Sequence, residues 1–134
     1  MRLFIALVAL VATAACKSDS PTEPLAGNLG GTYTLRTMNG ASLPFTIVTH
    51  DTTVAIDTDV IIMTDVGGWN EEVGYRQTVG TAAPTNEKFT LSGTWTRSGN
   101  SLNLRIPAGL LYVGTATDTS LSLSDGSFTY VFVR

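Results

Sequence analysis

Residues that commonly perform acid–base chemistry are sparse in this chain. His50 is its only histidine. A catalytic base needs a nucleophile within hydrogen-bond reach, and many serine hydrolases present that nucleophile in a Gly-x-Ser-x-Gly turn. The sequence contains no such turn, and His50 precedes Asp51 at a predicted hairpin turn. We therefore expect His50 to be exposed and predict no catalytic residues, so the chain is not expected to be an enzyme.

Carboxylates offer metal binding or glycoside hydrolysis as a second kind of chemistry. Asp57, Asp59 and Asp65 form the acidic cluster with metal-like spacing, but the regular Asp-x-Asp-x-Asp-Gly calcium loop is absent. One histidine and one cysteine cannot supply a tetrahedral zinc set. Glu71 has no identifiable partner carboxylate at the separation of about 5–9.5 Å that glycosidases use. We predict a solvated acidic loop, no metal site and no cofactor.

Cys16, the only cysteine, follows a segment typical of export. Arg2 gives a short positive start, and residues 3–15 are an unbroken apolar run of 13 residues. Thirteen helical residues span about 20 Å, too short for the roughly 30 Å hydrocarbon core of a membrane. Such a run after a positive start, ending in small residues, describes a signal peptide. An exported chain with one cysteine cannot form an internal disulfide, so Cys16 needs another role.

The residues around the cleavage point, Thr-Ala-Ala-Cys at 13–16, resemble the lipobox of bacterial lipoproteins. The resemblance implies that residues 1–15 are removed and that Cys16 is acylated, which makes membrane lipid its partner. Two or three acyl chains anchor a protein far more firmly than one. Lys17 is not the Asp that often marks inner-membrane retention, so the resemblance favours the outer membrane of the cell envelope. Residues 16–29 contain two prolines and are typical of a flexible tether.

Residues 30–134 must supply the fold, and their pattern is typical of β-structure. No ten-residue segment shows the apolar spacing of an amphipathic helix. Short runs alternate apolar and polar residues instead, and Gly, Asn, Asp or Ser interrupt them. Threonine, a β-branched residue that suits strands, occurs 21 times in the chain. We predict an all-β domain of about eight to nine antiparallel strands joined by tight turns.

Five predicted turns test whether the strands share one apolar face, because opposite residues in a hairpin point to the same side. An even loop near residue 99 pairs Trp95 with Leu104, and a two-residue turn at 125–126 pairs Leu123 with Phe128. Turns near residues 40, 51 and 118 also place the large apolar residues on one face. The predicted inward residues are Tyr33, Leu35, Phe45, Ile47, Val54, Ile56, Phe89, Leu91, Trp95, Leu102, Leu104, Leu110, Tyr112, Leu121, Leu123, Phe128, Tyr130 and Phe132.

Sequential hairpins leave two exposed sheet edges unless the sheet closes. We predict an up-and-down barrel, with an open two-sheet sandwich as the alternative. The phrase Gly31-Thr-Tyr33 and the terminal Arg134 resemble the calycin superfamily, specifically the lipocalin-like domains of bacterial lipoproteins. The resemblance implies that Tyr33 and Arg134 pack together and close the bottom of the barrel. A cation over an aromatic ring contributes about 0.5–2 kcal/mol, so a purely structural role suffices for this pair.

The barrel interior and mouth are the remaining places for recognition. Residues 65–72 place Trp69 between a Gly-Gly pair and two glutamates, and loops at a barrel mouth often carry binding. Strand parity turns Glu71, Tyr75 and Gln77 inward. The candidate ligand-binding residues are Trp69, Glu71, Tyr75, Gln77, Trp95 and Tyr112. An eight-stranded barrel can hold one small ligand or be filled by its own side chains, and both possibilities stay open.

Charge excludes one class of function and leaves two. Without Arg2 of the leader, seven basic side chains oppose 11 acidic ones. That balance argues against nucleic-acid binding, which needs a basic face. We expect a lipid-anchored envelope protein that binds a small apolar or amphipathic molecule at the barrel mouth. The alternative is a structural or interaction lipoprotein with a filled barrel, an envelope protein as partner and an exposed apolar patch near Trp69.

Overall fold

A computed structural model describes residues 28–134, which form ten β-strands. The predicted signal peptide, Cys16 and most of the predicted tether lie outside the described residues. Most strands alternate inward and outward side chains, as a half-buried sheet requires. The strands are β1 (Gly31–Met38), β2 (Ala41–Ser42), β3 (Phe45–Thr49), β4 (Thr52–Met63), β5 (Gly68–Val79), β6 (Thr85–Ser98), β7 (Ser101–Ile106), β8 (Gly109–Ala116), β9 (Ser120–Ser124) and β10 (Thr129–Val133).

Eight of the strands form a closed antiparallel barrel. Strands β4 to β10 follow one another as an up-and-down meander, and β1 pairs with both β10 and β4 to close it. The short β2 and β3 lie outside the ring, where β2 pairs with β1 and β3 with β4. The predicted all-β barrel is confirmed, and closure excludes the two-sheet sandwich. Within residues 28–134, no helix is long and apolar enough to cross a membrane.

The hairpin registers largely preserve the predicted faces. Trp95 opposes Leu104 as predicted. The connection after β9 is longer than the predicted two-residue turn, so Leu123 opposes Tyr130 rather than Phe128. A shift of two residues keeps every side chain on the same face, because the side-chain period of a strand is two. The assignment of residues to the inner and outer faces therefore survives an error of two residues in loop length.

Two predicted inward residues depart from the core. Leu110 is 50% exposed, because the β7–β8 register shifts between Leu104 and Arg105. A bulge of this kind reverses the parity of the residues beyond it. Phe89 is 44% exposed, at the open end of the barrel. The buried core consists of Leu29, Tyr33, Leu35, Met38, Ile61, Met63, Trp69, Val73, Leu102, Leu104, Tyr112, Ala116, Leu121, Leu123, Tyr130 and Phe132.

One end of the barrel is closed by side chains around the start of β1. The Arg134 guanidinium lies 5.4 Å from the centre of the Tyr33 ring, so the structure brings the predicted closing pair together. The Tyr33 hydroxyl donates a hydrogen bond of 3.1 Å to the carbonyl oxygen of Leu29. Leu29 was predicted to belong to the tether, but it is 1% exposed and packs in the core. The folded part therefore includes Leu29.

Candidate functional site

A cavity of about 160 Å³ opens at the end of the barrel opposite the Tyr33–Arg134 pair. Its walls come from six of the eight barrel strands, from β3 and from the β9–β10 connection, so the cavity lies inside the barrel. Most of the wall is aliphatic or aromatic, and two carboxylates interrupt it. The lining residues are Met38, Ile47, Ile56, Asp59, Val73, Phe89, Tyr112, Asp125, Phe128 and Tyr130.

Asp59 reaches the cavity because β4 contains a bulge. The β4–β5 register shifts between Ile56 and Thr58, so Ile56 and Asp59 both line the cavity although three positions separate them. Asp57 is the extra residue of the bulge and points outward, where its carboxylate accepts hydrogen bonds from Nε and Nη2 of Arg76 at 2.7 and 2.8 Å. Asp59 is 3% exposed. The predicted solvated loop is therefore wrong for Asp59, which is a buried strand residue.

Glu71 lies behind Asp59 and is 2% exposed. Ile61 opposes Glu71 and Asp59 opposes Val73, which makes the two acids diagonal neighbours on the inner face of β4 and β5. Their carboxyl groups are in hydrogen-bonding contact. The Tyr112 hydroxyl also donates to Glu71, 3.1 Å from Oε1 and 3.3 Å from Oε2. By contrast, Asp59 Oδ1 is buried without an N–H or hydroxyl partner in the described part of the chain.

Burial dominates the electrostatics of this acidic pair. It raises the pKa of Asp59 to about 8, and the negative charge of Glu71 acts in the same direction. Burial also raises the pKa of Glu71 to about 7, against the hydrogen bonds from Tyr112 and Asp59, which lower it. Two carboxylates in contact in a low-dielectric interior cannot both ionise freely, so the pair retains a proton near neutral pH.

The mouth of the cavity carries a carboxylate of a different kind. Asp125 Oδ2 accepts a hydrogen bond of 2.7 Å from the Tyr130 hydroxyl, and Oδ1 accepts the backbone N–H groups of Ser127 and Phe128 at 2.8 Å each. Although partial burial acts to raise it, these bonds lower the pKa of Asp125. Asp125 therefore stays ionised at neutral pH and places a fixed negative charge beside the entrance.

Aromatic rings connect the mouth to the buried acids. The Tyr130 and Tyr112 rings meet edge to face, with centroids 5.5 Å apart. Phe128 and Phe45 make a similar contact at 6.1 Å, nearer the opening. Desolvation raises the pKa of Tyr112 well above its usual range, so its hydroxyl remains a donor to Glu71. The cavity wall is therefore rigid and aromatic, with a polar inner end.

Two of the six predicted ligand-binding residues belong to this site. Tyr112 lines the cavity, and Glu71 supports its polar end. Tyr75 and Gln77 are half-buried on β5 and are absent from the cavity wall. The Tyr75 ring packs edge to face on Phe89, with centroids 6.2 Å apart.

Trp69 and Trp95 lie towards the closed end, and the expected mouth position of Trp69 is wrong. The Trp69 side chain is 1% exposed, and its Nε1 donates to the carbonyl oxygens of Thr94 and Arg105 at 3.1 and 3.3 Å. Trp95 is half-buried and donates from Nε1 to the carbonyl oxygen of Thr64 at 3.0 Å. Trp69 therefore contributes no exposed apolar surface, although Val66, three positions earlier, is 94% exposed.

The remaining sequence candidates lie away from the cavity. His50 is exposed in the β3–β4 turn, as predicted. Asp65 is exposed after β4. Among residues 28–134, no group of three or more His, Cys, Asp or Glu side chains is arranged to hold a metal ion. A larger groove of about 560 Å³ lies along β4, β5 and β6, but it is lined mainly by outward residues such as Ile62 and Glu72 and lies on the outer face of the sheet.

Asp59 is the cavity residue that the sequence prediction placed in a solvated loop. Its signal in the sequence is the alternation Asp59, Ile61, Met63, which places the acid on the same face as two core residues. The assembled site combines a small apolar cavity, a proton-sharing acid pair and an ionised entrance. Such a site can recognise a small molecule that has an apolar body and one polar group. Comparison of the chain with protein-family models, with curated proteins and with solved structures found no match.

Proposed function

We propose that this protein is a lipid-anchored envelope lipoprotein whose barrel binds a small amphipathic molecule at its open end. The observation that carries the binding function is the interior cavity of about 160 Å³. Binding sites for small molecules are concave and mostly apolar, with a few fixed polar groups that orient the ligand. Aromatic and aliphatic side chains of the wall supply the apolar part here, and Asp59 supplies the polar part.

The volume restricts the size of the ligand. A dry engineered cavity of about 150 Å³ accommodates benzene. The cavity of this barrel is therefore suited to one aromatic ring, or an aliphatic group of similar size, with any longer portion extending past Phe128 into solvent. Whole fatty acids and other long apolar chains exceed that space.

A substitution that fills the cavity tests the binding function. Val73 is 5% exposed and lines the cavity, so the ring of Val73→Phe would occupy the ligand space. We expect this variant to bind 2-phenylethanol at least about tenfold more weakly than the wild type, measured by isothermal titration calorimetry. The same substitution at Val113, which is 44% exposed on β8 and outside the cavity wall, should leave the affinity within about twofold.

The result is interpretable even if Val73→Phe does not fold. Ile47→Phe adds bulk from β3, outside the closed ring, and should also weaken binding. Equal binding by the wild type and both cavity variants would contradict binding in the barrel, as would a folded wild type that binds neither 2-phenylethanol nor analogues of it that carry a charge. Native mass spectrometry of protein purified from its host gives an independent readout, since a bound small molecule would add mass that the Val73→Phe variant lacks.

The anchor is supported by the leader and by the lipobox-like residues that end at Cys16. We expect Cys16→Ser to abolish acylation and to move the protein from the membrane fraction to the soluble fraction, because the acyl chains supply the membrane affinity. Lys17→Ser is a matched control that leaves the acceptor thiol in place. Unchanged membrane partitioning and precursor size in the Cys16→Ser variant would contradict the lipoprotein assignment.

A structural or protein-interaction lipoprotein remains the second candidate. Large buried side chains such as Trp69, Tyr33 and Phe132 occupy the rest of the barrel, so most of the interior is filled. Outward apolar residues near the groove, including Ile62 at 48% exposure, offer contact surface to another protein. This candidate predicts no bound small molecule in the host-purified protein. It also predicts no difference between the Val73→Phe and Val113→Phe variants in 2-phenylethanol binding.

A further inference from the structure

We propose that the ligand of the barrel cavity is a small organic monocation, an amine on an aromatic or short aliphatic body, whose ammonium group binds Asp59. This inference rests on the proposed binding function and adds the chemical class of the ligand. The observation behind it is that Asp59 lines the cavity, is 3% exposed, and has no N–H or hydroxyl partner for Oδ1 within residues 28–134.

The polar groups of the cavity share one electrostatic preference. Two carboxylates, Asp59 and Asp125, line it, and none of its ten lining residues in the described chain is basic. Glu71 lies behind Asp59 and adds a third acidic group. An anionic ligand would meet repulsion at both ends, whereas a cation is attracted at the mouth and at the inner end. An ammonium group would also donate to the buried oxygen that has no donor of its own, and burying that oxygen unpaired is unfavourable.

The aromatic wall is consistent with the same ligand. Tyr112, Tyr130 and Phe128 surround the path from the mouth to Asp59. Ring faces attract organic cations, and aromatic side chains around a ligand are a recurrent means of binding ammonium groups. The rings also contact an apolar body, so one wall can serve both parts of the molecule. A hydrated metal ion would gain nothing from this apolar surface.

Binding of a cation couples to the proton held by the acid pair. Below neutral pH the proton neutralises part of the negative charge of Asp59 and Glu71, whereas the bound ammonium supplies that neutralisation itself. The groups around the pair are Tyr112 from β8 and Tyr130 from β10, with Asp125 at the mouth. None of these three gains or loses a proton between about pH 5 and 8. Ligand binding should therefore release a proton, and affinity should rise with pH over that range.

Three probes that share a phenylethyl group and differ in charge test the charge preference. They are the cationic 2-phenylethylamine, the neutral 2-phenylethanol and the anionic 3-phenylpropionate. We expect calorimetry at pH 8 to give an affinity for the amine at least about tenfold above that for the alcohol, with the anion weaker still. Asp59→Asn should lower the amine affinity at least about tenfold and change the alcohol affinity little. Asp57→Asn, two positions away on the outer side of β4, should change neither.

A second measurement needs no variant. Titration of the wild type with the amine in phosphate and in Tris, which have different ionisation enthalpies, should give different apparent enthalpies because binding releases a proton. Alcohol affinity equal to or above amine affinity, or no proton release, would overturn the cationic ligand while leaving the binding function in place. No binding of any of the three probes by the folded protein would remove the binding function itself.

Discussion

The free energy of unfolding should fall by at least about 3 kcal/mol as the pH rises from 5 to 7, because the native acid pair keeps at least one proton that the unfolded chain has released. The ordinary pKa values of the two carboxyls are 3.8 and 4.5, and burial raises them to about 8 for Asp59 and about 7 for Glu71. The native state therefore binds more protons than the unfolded state between about pH 4 and 8. The stabilisation that these extra protons provide is complete below about pH 4 and is lost as the pH rises from about 4 to about 8.

Neutral substitutions should flatten this profile. Asp59→Asn removes the acid with the higher pKa and should reduce the slope, and the double variant Asp59→Asn/Glu71→Gln should remove most of it. Urea unfolding followed by far-ultraviolet circular dichroism, repeated from pH 5 to 8, measures the slope. Asp57→Asn is the matched control, because the carboxylate of Asp57 pairs with Arg76 at the surface and its pKa is lowered.

Below about pH 4 the stability changes with pH in the opposite direction, so this effect can be separated from that of the buried acid pair. Asp57 and Asp125 have lowered pKa values, so their contributions are present above about pH 4 and are lost below it. The range from pH 5 to 8 therefore isolates the buried pair. A flat wild-type profile across that range, or a slope that persists in the double variant, would show that the two acids are not the groups that take up the proton.

Trp69→Ala should cost about 3–5 kcal/mol of stability, the largest loss that we expect from a single core truncation in this barrel. The indole is 1% exposed and contacts the Tyr112 ring at a centroid distance of 6.3 Å. Its Nε1 donates to one carbonyl oxygen on β6 and to another on β7, so the indole connects two neighbouring strands. Domains of this size have about 5–15 kcal/mol in total, so the variant retains only a marginal fold.

Gly93 makes room for the Trp69 indole and for the backbone of β7. It opposes Trp69 in the β5–β6 pair, and a Cβ atom there would clash first with the carbonyl oxygen of Arg105 and would lie 2.9 Å from the indole nitrogen. The missing side chain lets the indole cross β6 and reach Arg105. Trp69→Phe should therefore recover part of the packing but neither hydrogen bond, and its stability should fall between those of the wild type and Trp69→Ala.

Trp95 provides the comparison for this prediction, because it is the only other tryptophan in the chain. It also has one indole hydrogen bond, to Thr64, but it is only half-buried. Truncation there exposes less new surface and leaves a smaller cavity, so Trp95→Ala should cost less than Trp69→Ala. Urea unfolding followed by circular dichroism measures both variants. An equal or smaller loss at Trp69 would contradict the assigned role of its buried ring.

The acid pair and Trp69 have contrasting roles. Trp69 and its contacts stabilise the closed end, where the interior is filled. Asp59 and Glu71 lower stability at neutral pH, because two carboxyls are buried in contact without a counter-ion. Groups whose pKa values are displaced by burial in a cavity are typical of functional sites. A bound cation would offset this unfavourable term, so the proposed ligand should also stabilise the fold.

Local sequence patterns are enough to predict the all-β class, the antiparallel turns and most inward positions. These features follow from local alternation and turn residues, and a hairpin error of two residues leaves the faces unchanged, as at Leu123 and Tyr130. The contact of Tyr33 with Arg134, which the structure contains, follows from the family resemblance of the sequence and not from local alternation. Parity predicted Glu71 and Tyr112 to point inward, and both do.

Contacts between strands set where the acids and tryptophans meet. Asp59 shares the inner face with Ile56 because the bulge between Ile56 and Thr58 reverses parity, and that bulge depends on the pairing of β4 with β5. Gly74 opposes Thr58 at the bulge, and a Cβ there would lie 2.5 Å from Thr58 Oγ1. The Trp69 indole is buried because it crosses β6 at Gly93 and reaches the backbone of β7. Local alternation places Asp59 on one face with Ile61 and Met63, but it does not record bulges or strand pairing, and these contacts join that face to Ile56 as one cavity wall.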